Sequence, residues 1–207
     1  VSGSMAYGSH GITKFAYAQC LAASLAYLMN RQRDSVGLTA FDDRIVRMLP
    51  ASARPGHLRG VLLTLDRLTL GHKTNVSKPL HQLAETLSKR GMVVLISDLL
   101  DDPEAVIQGL KHFRFRGTDV IVFQILDVDE VEFPFERATH FEDLETAEEV
   151  VAVPALVREH YQRAMQGLTD RYKRELGVAG IDYHFLDTSQ PLELGLLAYL
   201  STRSRDF

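Results

Sequence analysis

The sequence predicts an α/β fold: a doubly wound, mostly parallel sheet in three layers, with helices on both faces and a small β-hairpin insert. Two runs, Met92-Val93-Val94-Leu95-Ile96 and Thr118 to Leu126, are almost continuously apolar, as strands covered on both faces must be. Stretches whose apolar residues recur at three- and four-residue steps alternate with these runs. Strand and helix patterns taking turns in this way define a parallel sheet sandwiched by helices.

In chain order, Thr13 is placed to cap a helix over Lys14 to Arg31, with Phe15, Ala18, Ala22, Leu25 and Met29 on one face. Cys20 in that helix reads as a small buried hydrophobe. Val36 to Phe41 and Arg44 to Leu49 read as a hairpin around Asp42-Asp43, followed by a loop from Pro50 to Gly56. Leu58, Val61, Leu62, Leu65 and Leu68 mark a second helix, and Leu80, Leu83, Ala84 and Leu87 a third over about 76–90. The first apolar strand follows, then a helix from Pro103 to Phe115 and the second apolar strand. Thr139 to Leu144 and Glu149 to Val153 form the hairpin insert. A long helix runs from Pro154 to Leu176 and ends at Gly177 to Gly180. Ile181 to Leu186 is a strand, and the closing helix starts at Pro191, where a missing N–H costs little. No linker or repeat divides the chain, so residues 1–207 form one domain. Val1 reads as the last residue of a first strand whose body precedes it.

Composition narrows the function. Hydrophobic residues make up 45% and charged residues 24%, ordinary for a globular domain. A formal net charge of −4 gives nucleic-acid binding no electrostatic support. A single cysteine precludes an intrachain disulfide and fits a reducing cytoplasm. No apolar run reaches the roughly 20 residues of a membrane span.

Several motifs fail on spacing. Gly3 to Gly8 has the G-x-x-x-x-G opening of a phosphate loop, but Ser9-His10 replaces the Lys-Ser or Lys-Thr that clamps phosphate. No nucleophile elbow G-x-S-x-G occurs, and the eight histidines show no zinc spacing. His10, His57 and His72 read as loop or surface residues. The acidic run Asp127 to Glu132 lacks an EF-hand's glycine and reads as a solvated turn.

What remains lies at the carboxyl edge of the sheet, where ligands of such folds bind. Ser2 and Ser4 are spaced as in D-x-S-x-S, which lets alternate side chains of an extended loop point the same way. Gly3 lets the backbone curl between them. Thr74, in the loop before the third helix, and Asp98, at the end of the first apolar strand, fall at the same edge. Ser2, Ser4, Thr74 and Asp98 are hard oxygen donors, the set that suits Mg²⁺, Mn²⁺ or Ca²⁺. The competing reading of the serines is a turn that caps the first helix.

Val1-Ser2-Gly3-Ser4-Met5, Lys73-Thr74-Asn75 and Ile96-Ser97-Asp98 resemble the three segments of the metal-ion-dependent adhesion site of von Willebrand factor A-like domains. With Ser4-Met5-Ala6-Tyr7-Gly8, Thr13-Lys14, Asp34-Ser35-Val36-Gly37-Leu38, Ile96-Ser97-Asp98-Leu99-Leu100 and Phe141-Glu142-Asp143-Leu144-Glu145-Thr146, the chain resembles more narrowly a bacterial domain-of-unknown-function family, number fifty-eight. The resemblance implies a von Willebrand A, Rossmann-like fold in which Ser2 and Ser4 are direct ligands, Thr74 a direct or water-bridged ligand, and Asp98 a carboxylate acting through water. The family's leading Asp and first strand would precede Val1, and without that Asp the metal is held weakly. The resemblance also implies a partnership with a MoxR-type AAA+ ATPase, or with a client protein that offers Asp or Glu to the ion. The chain is therefore expected to be a cytoplasmic protein-interaction module rather than an enzyme. The rivals are a Mg²⁺-dependent phosphatase or hydrolase using Asp98, Asp101 and Asp102, and a scaffold that has lost its metal.

Overall fold

The computed structural model describes residues 1–71, 76–87, 91–144 and 148–203. Three parallel strands make the central sheet: β3 (Met92–Ser97), β4 (Asp119–Leu126) and β7 (Asp182–Asp187), in the order β3-β4-β7. The middle strand explains the three layers. Side chains of successive strand residues point to opposite faces, so Val120 and Val122 enter one core while Ile121, Phe123 and Ile125 enter the other. The first core is closed by α3 (Ser77–Thr86), α4 (Pro103–Phe115) and α6 (Pro154–Val178), through Leu80, Leu110, Phe113, Tyr172 and Leu176. The second is closed by α1 (Lys14–Arg31) and α7 (Leu192–Arg203), through Tyr17, Leu21, Leu25 and Tyr199. The α/β architecture expected from the two apolar runs is therefore present.

Two antiparallel hairpins flank this sandwich. The first joins β1 (Val36–Phe41) to β2 (Ile45–Ser52) and packs with α2 (His57–Asp66) against α1, through Val36, Val61, Leu65 and Ala26. The second joins β5 (Thr139–Glu142) to β6 (Glu149–Ala152) after the short helix α5 (Val128–Glu132). An aromatic cluster of Phe133, Phe135, Phe141 and Tyr161 anchors it to α6. Among the described residues, β1 pairs with β2 alone and β3 with β4 alone. Between them lies an apolar slot of about 210 Å³, lined by Ala18, Ala22 and Leu25 of α1 together with parts of β1 and β3.

The element ends match the sequence closely where a local signal marks them. Thr13 caps α1 by accepting the Ala16 N–H at 3.1 Å, and Asp102 caps α4 by accepting that of Glu104 at 3.2 Å. The departures have physical reasons. Strand β2 runs on through Pro50, tolerable because β2 lies at the edge of its two-stranded sheet. Helix α6 passes Gly177 and stops where Gly180 takes a left-handed φ of 67°. Cys20 is exposed, because the buried stripe of α1 runs through Tyr17, Ala18 and Leu21 and leaves position 20 outside. The segment expected to be a solvated turn at Asp127 is the capped start of α5, and Asp127 is fully buried.

Phe113 is fully enclosed in the core on the α4 side. Phe113→Ala is expected to lower unfolding free energy by about 3–5 kcal/mol, read from urea denaturation at neutral pH.

Candidate functional site

Parallel pairing aligns the carboxyl ends of the three central strands, with Ser97 opposite Gln124 and Leu126 opposite Asp187. The next residue on each strand is polar and buried: Asp98 after β3, Asp127 after β4 and Thr188 after β7. One network joins them. Lys14, the first residue of α1, is excluded from solvent and donates to Asp98 Oδ2 at 3.1 Å and to Glu130 Oε1 at 2.7 Å. The other oxygen of Glu130 accepts the Asp127 N–H at 2.8 Å, and Asp127 accepts the Asp129 N–H at 3.0 Å. The Asp127 side chain accepts the Glu130 N–H as well, and with the Glu130 bond to the Asp127 N–H this completes a capping box at the start of α5. Asp127 also accepts the Thr188 hydroxyl at 2.8 Å, the Ser9 N–H at 3.1 Å and the Ser9 hydroxyl.

The backbone that carries Asp98 is fixed from every side. Gln124 donates to the Asp98 carbonyl at 3.0 Å, the Leu99 N–H donates to Ser97 Oγ at 3.2 Å, and the Tyr172 hydroxyl donates to the Leu99 carbonyl at 3.1 Å. Leu99 itself is held at a φ of 56°, a conformation rare for a residue of its bulk, with its side chain fully buried. Packing of Leu99 therefore sustains the sharp turn at which the carboxylate of Asp98 meets Lys14.

The serine segment is built differently. Residues Gly3–Ala6 form a single 3₁₀ turn with Ser2 as its N-cap residue, yet the Ser2 side chain makes no capping bond. Its hydroxyl lies 3.0 Å from that of Ser4 instead. The Val1 carbonyl accepts the Gly71 N–H at 2.8 Å, which brings Gly71, three positions before Thr74 in the sequence, to the serine segment. Gly3 is hemmed in: a Cβ there would lie 2.5 Å from the Leu144 carbonyl oxygen and 3.4 Å from that of Gly71. Only glycine lets Leu144, just beyond β5 in the insert hairpin, approach this closely.

Of the four expected ligands, Ser2 and Ser4 are thus together, and Asp98 is at the edge but engaged by Lys14. Thr74 lies outside the described residues, as do His72, Lys73 and Asn75. The other carboxylates considered for hydrolysis have structural tasks. Asp101 accepts the Val76 N–H at 2.7 Å and the Asp102 N–H at 2.7 Å, and Asp102 caps α4. His10, Asp127 and Asp129 bring ligand-type atoms within 4.8 Å of one another, but both oxygens of Asp127 already accept protein donors. Sequence reasoning missed Lys14, Asp127 and Glu130 as members of the edge. Two signals pointed to them: a lysine in the first turn of a helix, where the dipole opposes it, and the spacing Asp127-x-x-Glu130 before a helix.

Charge at the edge is tuned by burial and donors. Burial and the carboxylates of Asp129, Asp127 and Glu130 push the Tyr7 hydroxyl up to about 12, so it stays protonated at neutral pH. Burial raises Glu130 above its ordinary 4.5, more than Lys14 and the Asp127 N–H lower it. Burial also raises Asp127, but the donors from Ser9, Asp129 and Thr188 outweigh it and hold Asp127 below its ordinary 3.8.

The class defined by this architecture is an α/β domain whose polar edge is assembled from three strand ends and the first turn of α1. Residues 1–170 match the family described as protein of unknown function DUF58, and the chain belongs to that family. Two solved structures share the fold. One is the conserved hypothetical protein BatB from Bacteroides thetaiotaomicron, with a TM-score of 0.64 and 13% identity over 100% of this chain and 96% of that one. The other is an aerotolerance-related membrane protein from Bacteroides fragilis NCTC 9343, bearing multiple mutations to serines. It matches with a TM-score of 0.59 and 16% identity over 91% of this chain and 88% of that one. No curated protein matches the chain. Among the described residues, no helix is long and apolar enough to cross a membrane.

Two outcomes follow for the edge. Asp127→Asn sets an amide NH₂ against protein donors and is expected to cost about 1–3 kcal/mol at pH 7 in urea unfolding. Because the folded protein holds Asp127 below its ordinary value, its contribution is present above about pH 4 and fades as pH falls through the lowered value. The gap between the variant and wild type therefore narrows in the same measurement at pH 3. Gly3→Ala is expected to cost about 1–3 kcal/mol by forcing the Leu144 carbonyl away, read from its thermal midpoint.

Proposed function

We propose that this chain is a divalent-cation-dependent protein-interaction module rather than an enzyme. It would hold Mg²⁺ or Mn²⁺ at the sheet edge and capture an acidic side chain of a partner. One observation carries the reading: the Ser2 and Ser4 hydroxyls lie 3.0 Å apart, with Ser2 uncommitted to helix capping. Neighbouring ligands in an octahedral shell with metal–oxygen distances of about 2.1 Å are separated by about 3 Å, so the pair has the spacing of two adjacent Mg²⁺ ligands. The same spacing makes a hydrogen bond when no ion is present.

Ser2 and Ser4 would be direct ligands, with Thr74 a direct or water-bridged one by the family resemblance. Asp98 would supply negative charge from behind. Such a site is poor in direct carboxylates, so the ion keeps its appetite for an oxygen anion from outside. This is the chemistry of the metal-ion-dependent adhesion site of von Willebrand factor A-like domains, which the Ser2-x-Ser4 segment, Thr74 and Asp98 resemble. By the same resemblance, the partner is a MoxR-type AAA+ ATPase or its client, and the location is the cytoplasm.

The test is capture of a MoxR-type ATPase on the immobilised chain, with Mg²⁺ or with EDTA. Binding is expected only with Mg²⁺, and Ser2→Ala/Ser4→Ala is expected to weaken it about tenfold or more while leaving the circular dichroism spectrum intact. Capture that ignores both EDTA and the double substitution would overturn the reading.

A further inference from the structure

The ammonium of Lys14 is the cation that Asp98 meets at this edge. It lies within bonding distance of two carboxylates, one almost fully buried and the other largely so. Buried carboxylates are costly unless a positive charge compensates them. Here that charge is built into the chain, on the first turn of a helix that itself disfavours it. The backbone at Asp98 and Leu99 is held by bonds to Gln124, Ser97 and Tyr172, which keeps the Asp98 carboxylate beside Lys14. The Glu130 carboxylate is held by the N–H of Asp127. Two carboxylates and one ammonium leave one net negative charge. A divalent ion drawing on Asp98 therefore meets a carboxylate whose charge is already in use.

We propose that Lys14 is the resident counter-cation of the edge, the group with which a divalent ion competes for Asp98, and that it sets how tightly the chain takes metal. This rests on the preceding reading that the edge takes such an ion. Glu130 gives the ammonium a place to remain. Its bond to Lys14 is the shorter of the two, 2.7 Å against 3.1 Å, so the lysine can yield Asp98 and still keep a partner. The domain then holds its fold without metal, and the metal-bound state is reached by moving one side chain.

The experiment is calorimetric titration of Mn²⁺ into the full chain and its variants at neutral pH, with circular dichroism as the control for folding. Lys14→Met keeps the length of the apolar stem and removes the charge. Lys14→Met/Glu130→Gln also removes the carboxylate left unpaired, which protects the fold. Either variant is expected to bind Mn²⁺ about tenfold or more tightly than wild type, and adding Asp98→Asn is expected to abolish the gain. Variants that fold only when millimolar Mn²⁺ is present would support the proposal as well. It is overturned if both variants are folded and bind no more tightly than wild type, or if both stay unfolded with Mn²⁺ present. Ser2→Ala/Ser4→Ala in the wild-type background separates the two ideas. If wild-type affinity ignores the serines, the preceding reading fails, while the comparison of Lys14→Met with wild type still decides the role of the lysine.

Discussion

The carboxyl edge of this domain depends on one buried ammonium. Lys14 is bonded to Asp98 at the end of β3 and to Glu130 in α5, and through Glu130 it reaches Asp127 at the end of β4. Without that charge the edge would hold carboxylates in a setting where ionisation is expensive. With it, the first turn of α1, two strand ends and α5 are locked in one arrangement, and Asp127 extends the lock to Ser9 and to Thr188 after β7. The polar edge is thus a structural unit.

The sheet beneath makes that unit rigid. The alternating faces of β4 feed two separate cores, and both reach up to the edge: Leu99 caps one, and Met5, just after the serine pair, belongs to the other. A residue that acts chemically at the edge therefore has a packed neighbour fixing its backbone. The serine pair is the less encumbered part. Its hydroxyls bond to each other, and the approach to it is shaped by Gly3 under the Leu144 carbonyl. The β5–β6 insert is thereby brought against the serine segment.

Much of this was legible in the sequence, because the signals are local. Thr13 announced α1, and the apolar runs announced two strands buried on both faces. The serine spacing told which side chains could converge. The acidic run after β4 was misread because its composition is that of a solvated turn, and the capping box that buries Asp127 depends on Glu130 folding back on it. Cys20 was misread because the reading rested on residue type, and position 20 lies outside the buried stripe of α1.

The sequence by itself determined the α/β class, the alternation of the main strands and helices and the candidate donors at the edge, since periodicity, caps and spacing act over a few residues. Only the tertiary structure decided how the charges are shared. Lys14 meets Asp98 across 84 positions and Glu130 across 116, and Thr188 meets Asp127 across 61. No local pattern encodes such pairings. They exist because parallel strands bring their carboxyl ends to one rim, and because a buried charge must find its opposite wherever the chain has placed it.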